Sequence, residues 1–267
     1  MKTIPEEIEQ YRDRKWRREE PLKVDSAEGV EAMVEDLGFS LGLTDARMSM
    51  PSIYIAVCGR RDAHMPRNVQ KDYEASRAWV LKDEVVARGR VYYGKLIKGK
   101  SWFLAPRLIP VFNAIWGVPK SKEKSELSDS ALKVLKVLRK EWEMATADLR
   151  AECGFANKSD LTKALDELQK RMKVVPQEVC YVPKFTYIWT LVEARFPGEF
   201  KVKMSREDAV RELARAFLSV NGLTLLGDLS RQFGFYRWES GLANHELVDA
   251  GYATRLSTGI YKLTHLA

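Results

Sequence analysis

The C-terminal half of this chain contains one unit twice, and that repeat limits its possible folds more than any single motif. Asp148-Leu149-x4-Gly154-Phe155 recurs as Asp228-Leu229-x4-Gly234-Phe235, an offset of 80 (148 to 228). Ala164-x-x-Glu167-Leu168 recurs as Ala243-x-x-Glu246-Leu247, an offset of 79 (164 to 243). Two copies of one supersecondary unit must bury equivalent faces and turn at equivalent glycines, so each copy constrains the reading of the other.

In the first copy Leu127, Ala131, Val134, Leu135 and Leu138 follow one another at three- and four-residue steps, the stripe of an amphipathic helix running to about Trp142, with Ser128 as its cap. Residues 146–153 predict a short helix opened by Thr146 and closed at Gly154 in a left-handed conformation. A third helix begins at Ser159, placing Leu161, Leu165 and Leu168 inward and leaving Lys158, Thr162, Lys163, Gln169 and Lys170 for solvent. Two β-rich pieces follow, 173–181 and 185–192, with Pro183 between them. The second copy predicts the same order. Ser205 with Asp208 caps a helix to about Val220, helices span 224–233 and 236–249, and a hairpin over 252–263 turns at Ser257-Thr258-Gly259. Helix, short helix, glycine turn, helix and hairpin is the order of a winged helix-turn-helix. The expected class is mainly α with small β-hairpins (α+β), built from tandem winged helix-turn-helix units: a basic winged-helix-like domain with a β-hairpin over 1–119, a second winged helix over 126–195 and a third over 205–267.

The N-terminal half is less periodic. Residues 5–20 predict a charged helix with Ile8, Tyr11 and Trp16 as apolar positions, a packing strap. Asp25 followed by Glu28 predicts a capping box for a helix through Val30, Met33, Val34 and Leu37 that stops at Gly38. After an irregular stretch to Pro51, the apolar run 53–58 predicts a buried strand or short core helix, and 59–68 a basic polar loop. A helix over 70–87 follows, then a hairpin of 90–96 and 101–104 with cations at its tip, a helix from Pro106 to Trp116, and a linker over 120–125.

Charge is concentrated in one region. Residues 1–46 hold 7 Lys/Arg against 12 Asp/Glu, residues 47–122 hold 15 against 5, and residues 123–267 hold 22 against 20. A cationic segment attracts polyanions, because each Lys or Arg beside a phosphate releases condensed counterions. DNA is therefore the expected partner. A hydrophobic content of 45% with 30% charged residues excludes a disordered or collagen-like chain. The longest nearly apolar stretch, 108–118, is broken by Pro110 and Asn113 and falls short of the ~20 residues of a spanning helix. Residues 1–23 lack the apolar run of a secretory signal, which predicts a cytoplasmic protein; a monomer is expected. Cys58, Cys153 and Cys180 are odd in number and far apart, as buried reduced thiols would be. His245 and His265 have no ligand-spaced partner, and no phosphate-binding glycine loop or Gly-x-Ser-x-Gly elbow occurs, so neither cofactor nor metal is expected.

On these features the chain resembles the winged-helix DNA glycosylases of crosslink and alkylation repair, the AlkZ/YcaQ type. The resemblance covers most of the sequence as a pattern of architecture. It is carried by the two tandem units, above all residues 206–263, and by Leu37-Gly38-Phe39, which is similar to the start of that family's catalytic loop. It implies three tandem winged helices and a β-rich element around a DNA channel. It also implies hydrolysis of the N-glycosidic bond by a Gln-x-Gln or Gln-x-Asp motif after that Leu-Gly. Here the matching positions are Leu41 and Leu43, which can neither orient a water nor stabilise an oxocarbenium-like sugar. Trp79-x-x-Lys82-Asp83 resembles a tryptophan-plus-polar position of the family, although a tryptophan on an amphipathic helix is ordinarily core.

Four residues are candidate substitutes for the missing motif. Gln70 and Asp72 form a Gln-x-Asp some thirty residues later, and Asp62 and His64 share the basic loop as a candidate acid/base pair. The competing assignment is a loop-fixing aspartate and a solvent histidine. For DNA contact the candidates are Arg60, Arg61, Arg67, Asn68 and Lys71 in the loop and Lys95, Lys98 and Lys100 on the hairpin. Tyr92, Tyr93 and Trp102 interleave with the latter, either as a base-stacking surface or as core. The sequence thus predicts a DNA-binding winged-helix protein similar to repair glycosylases, gripping duplex or alkylated DNA through a basic surface, with base excision left open. The alternative is a non-catalytic transcriptional regulator or interaction module.

Overall fold

The computed structural model describes residues 4–45 and 47–266. In chain order the elements are α1 (Glu6–Lys15), α2 (Ala27–Leu37), β1 (Phe39–Leu41), α3 (Ile53–Cys58), α4 (Tyr73–Arg88), β2 (Tyr92–Lys95), β3 (Ser101–Leu104), α5 (Ile109–Trp116), α6 (Glu123–Glu126), α7 (Asp129–Glu141), β4 (Glu143–Ala145), α8 (Thr146–Glu152), α9 (Lys158–Lys170), β5 (Val174–Cys180), β6 (Thr186–Leu191), α10 (Val192–Arg195), α11 (Pro197–Lys201), α12 (Arg206–Asn221), β7 (Leu223–Thr224), α13 (Asp228–Phe233), α14 (Arg237–Asp249), β8 (Ala253–Ser257) and β9 (Ile260–Leu263). The chain is α+β, mainly helical, with small antiparallel hairpins. Among the described residues no helix is long and apolar enough to cross a membrane. Contacts divide the chain into two compact units, Lys82–Met204 and a unit formed by Met1–Leu81 with Ser205–Ala267.

Each unit contains one copy of the repeat, and the two copies have one topology. In Lys82–Met204 the order α7-β4-α8-α9-β5-β6 closes a three-stranded antiparallel sheet with strand order β4-β6-β5. In the other unit α12-β7-α13-α14-β8-β9 closes a sheet with order β7-β9-β8. This is the winged helix-turn-helix arrangement, with the last two strands as the wing. The shared sequence signature has a physical basis: Gly154 and Gly234 both sit at positive φ (66° and 76°), ending the short helix where a side chain would be strained. The paired leucines Leu149 and Leu229, and Leu168 and Leu247, are all core.

The first copy buries Ala131, Val134, Leu135 and Leu138 of α7 against Leu161, Leu165 and Leu168 of α9, closed off by Trp189 and Leu191. Truncating one of these leucines to alanine removes about 2–5 kcal/mol of stability. Ser128 caps α7 by accepting from the N–H of Ala131 at 3.2 Å. Thr146 does not cap α8: its hydroxyl donates to the carbonyl of Tyr187 and accepts from Nε1 of Trp189, tying the helix to the sheet instead. The expected linker at 120–125 is folded into a 3-10 turn and α6, because the Glu123 carboxylate is buried between Arg139 and Lys173.

In the other copy α12 packs Leu213, Phe217 and Leu218 inward, and Phe217 meets Phe233 edge to face at 5.5 Å. Phe39 of β1 packs on the same Phe233 ring at 6.1 Å. Helix α1 is the expected strap, and its polar atoms explain its grip. The last carbonyls of any helix lack intrahelical donors. Here Tyr11, Trp16 and Arg12 supply them to Ser219, Val220 and Asn221 at the end of α12. Gly222 ends that helix at φ 70°, with Tyr11 packed so closely that an added Cβ would lie 2.9 Å from its ring. The capping box expected at Asp25 and Glu28 is replaced by Ser26, whose Oγ accepts from the N–H of Gly29 at 3.1 Å. The run 53–58 is helical, capped by Ser52 and ended by the left-handed Gly59.

Candidate nucleic-acid interface

The basic loop begins where α3 stops at Gly59. Arg60 folds back on Glu74 at the start of α4 in a bidentate pair, with Nη2 to Oε2 at 2.6 Å. That hydrogen bonding holds the Glu74 carboxyl below the usual carboxylate range. The neighbouring Cys58 thiol donates to Glu74 at 3.3 Å, and burial pushes it up to about 12, so it is no thiolate nucleophile. Arg61 is held by Asp13 and by Glu6 (Nη2 to Oε1 2.9 Å). Both arginines therefore already have carboxylate partners within the chain, and a phosphate would have to displace a bidentate contact. Arg67, Asn68 and Lys71 are exposed, and neither Arg67 nor Lys71 makes an ion pair among the described residues.

The four candidate catalytic side chains are not assembled into a site. Asp72 Oδ1 accepts from the N–H of Ala75 at 2.7 Å, which makes it the cap of α4. Gln70 is exposed and touches Ser76 through its backbone carbonyl. Asp62 points to solvent 3.7 Å from Arg60, and His64 is fixed by its carbonyl, which accepts from Tyr54 at 2.9 Å. No hydrogen bond joins Asp62 to His64 among the described residues. Leu41, at the position of the family's first glutamine, is 1% exposed in β1, where its backbone N–H donates to the carbonyl of Pro51.

On the hairpin the stacking option is excluded: Tyr92 and Trp102 are 0% exposed and Tyr93 is buried, so all three are core. Tyr92 and Tyr93 are adjacent on one strand and so point to opposite faces; both are buried, so the hairpin is covered on both sides. Lys95 pairs with Asp166 of α9 at 3.1 Å, Lys100 is half-buried, and Lys98 stands exposed at the tip with φ 56°. Gln169, expected in solvent, is buried because its amide accepts from the backbone N–H of Lys95 at 2.9 Å.

Lys82 and Asp83, like Glu123, are buried charges of their unit. The Lys82 ammonium touches Asp83, donates to the Tyr187 hydroxyl at 2.8 Å, and lies 5.3–5.7 Å from the rings of Tyr187, Tyr93 and Phe185. Burial lowers its pKa against the opposing pull of Asp83. Tyr181 donates to Asp83, and burial first, then that carboxylate, push its phenol up to about 12. This is a closed polar core rather than a surface for phosphates. Trp79, expected inside, is 45% exposed.

The two third helices of the repeat differ in what covers them. The C-terminal half of α9 is flanked by the hairpin, leaving a cavity of about 580 Å³ between the tip, Phe112 and Trp116 of α5, and Lys163 and Lys170. Helix α14 instead presents Arg237, Trp238, Leu242 and His245 outward, and a cleft of about 430 Å³ separates it from the wing residue Arg255. Arg237 and Arg255 lie outside the charge-rich segment of the sequence, and only their helix and wing phase marks them. Among the described residues no group of three His, Cys, Asp or Glu side chains could hold a metal ion.

No curated protein sequence matches this chain. Among solved structures, the Streptomyces sahachiroi DNA glycosylase AlkZ is similar in fold, with a TM-score of 0.61 at 14% identity over 99% of this chain and 71% of that one. The AlkZ-related family matches residues 24–221, taking in β1, the basic loop, the hairpin, the whole first winged helix and α12. The chain belongs to the AlkZ-related family.

Proposed function

We propose that this protein binds duplex DNA, damaged or alkylated duplex included, chiefly through its phosphates, and that it does not release bases through positions 41 and 43. The observation that carries the reading is the winged helix-turn-helix built twice into the fold of a DNA glycosylase. Winged helices dock a helix in a groove and a wing on the backbone. Arg67, Lys71 and Lys98 are the exposed cations of the basic segment that would meet phosphates. The apolar packing of Leu41 favours binding without hydrolysis, because N-glycosidic cleavage needs a polar group facing the sugar.

The test uses a labelled 25-base-pair duplex, with and without an N7-alkylated guanine, at a series of KCl concentrations. The expected result is a complex that weakens steeply with salt, and no free base or alkali-labile site after incubation. A protein that retains no duplex at low ionic strength would refute the proposal. Release of alkylated base would make the protein an enzyme using residues other than Leu41 and Leu43. Equal affinity for lesion and plain duplex would favour a regulator or interaction module over a lesion reader.

A further inference from the structure

We propose that the C-terminal winged helix is the groove-reading module of this chain, with α14 as its reading helix and Arg255 as its wing contact, and that the equivalent helix α9 is barred from that role. The proposal rests on the DNA-binding reading above and assigns its surface. A major groove is about 12 Å wide. A helix with its side chains is about 10–12 Å across, so a helix with a second element fastened to its flank does not enter. Such an element is fastened to α9: Lys95 of the hairpin bonds Gln169 through its N–H at 2.9 Å and Asp166 through its ammonium at 3.1 Å.

Among the described residues, helix α14 has no such cover on its outer face. Arg237 and His245 are exposed there, and with the exposed Arg255 they border the cleft of about 430 Å³. Arg237 and Arg255 make no ion pair among the described residues. The carboxylate in that cleft, Asp228, is already engaged by Arg231 at 2.6 Å and by the N–H of Leu225 at 2.7 Å. The cleft therefore presents uncompensated positive charge. Asn244, 8% exposed, borders the same cleft with its Oδ1 lacking any hydrogen-bond partner. At the start of the helix Tyr236 and Trp238 are both more than two-thirds exposed, their rings parallel to within 9°. Exposed guanidinium groups on helix and wing suit contact with a phosphodiester backbone.

The experiment measures duplex binding by the full chain by fluorescence anisotropy from 25 to 300 mM KCl, concentrations chosen so that the salt slope is defined, roughly a decade of ionic strength. Arg237→Ala with Arg255→Ala is compared with Lys163→Ala with Lys170→Ala on α9, all checked by thermal melting. The α14 and wing pair is expected to weaken binding at least about tenfold and to flatten the slope of log K against log salt by about 2, while the α9 pair changes neither. Should the alanine pair melt early, Arg237→Gln with Arg255→Gln gives the same reading on a folded protein. Wild-type binding that persists undiminished in the α14 pair overturns this inference alone and leaves the Tyr236 and Trp238 face to a protein partner. Absence of wild-type binding overturns the DNA reading as well. A loss confined to the α9 pair reverses the assignment.

Discussion

The backbone N–H of Lys95 donates to Oε1 of Gln169 at 2.9 Å, joining the hairpin to the third helix of the first winged unit through one buried side chain. The other end of that amide donates to the carbonyl of Leu165 at 3.2 Å, so both ends of the side chain are bonded. Replacing Gln169 with Leu keeps the volume and strands a backbone donor, which costs about 1–3 kcal/mol. A urea midpoint shift of that size is expected, with duplex affinity unchanged. A variant as stable as wild type would mean that the hairpin is held by its apolar contacts alone.

Glu123 gives a prediction for pH. Burial alone would raise its pKa, but hydrogen bonds from Arg139 and Lys173 and their charges outweigh that and hold it below its ordinary value of 4.5. A depressed carboxyl contributes stability that is complete above the unfolded value and is lost as pH falls through the folded one. Wild type is therefore expected to lose stability on acidification below about pH 4.3 more steeply than Glu123→Gln. At neutral pH the variant is expected to be about 3 kcal/mol less stable, because the buried Lys173 ammonium loses its carboxylate. Parallel denaturation curves at pH 3.5, 5 and 7, spanning the carboxylate range, check both; superimposable pH profiles would remove the ion pair from the account.

Arg60 and Arg61 separate stability from binding. With carboxylate partners of their own, each is expected to change duplex affinity less than about twofold when replaced by alanine. Arg67→Ala with Lys71→Ala, two cations without such partners, is expected to reduce the salt slope by about 1 to 2. Salt titrations of the two double variants decide it. A larger loss from the Arg60 and Arg61 pair would mean that phosphate displaces Glu74 and Asp13.

Much of this fold was legible in the residues themselves. The duplicated Asp-Leu and Gly-Phe spacing marked equivalent turns, since only a left-handed residue closes the short helix at Gly154 and Gly234. The caps at Ser128 and Ser205 follow from their spacing to Ala131 and Asp208. The interface was less legible, because a charge count along the chain ignores what faces each cation. Arg60 lies 14 positions before Glu74 and Arg61 lies 48 after Asp13, distances at which sequence carries no pairing signal. Gln169 looked like a solvent residue by helix phase, and only the tertiary approach of the hairpin buries it. Lys82 and Asp83 stood out in the sequence, but their partner Tyr187 lies 105 residues away, at a separation that carries no pairing signal.

Leu41 allows the family's chemistry to be tested in reverse. Its side chain is 1% exposed, and β1 is buried along its whole length. Installing the missing polar pair as Leu41→Gln with Leu43→Gln places a carboxamide in an apolar site and removes a packed leucine. The expected loss at position 41 is about 3 kcal/mol or more. The doubly substituted chain is expected to melt well below wild type and to release no base from an N7-alkylated duplex, because the backbone at Leu41 is fixed by Pro51 and turns that side chain into the core. Melting followed by circular dichroism, with base release read by alkaline cleavage of the labelled strand, gives both answers. A variant that keeps wild-type stability and gains excision would show that position 41 faces DNA, and the assignment of β1 to packing would have to be abandoned.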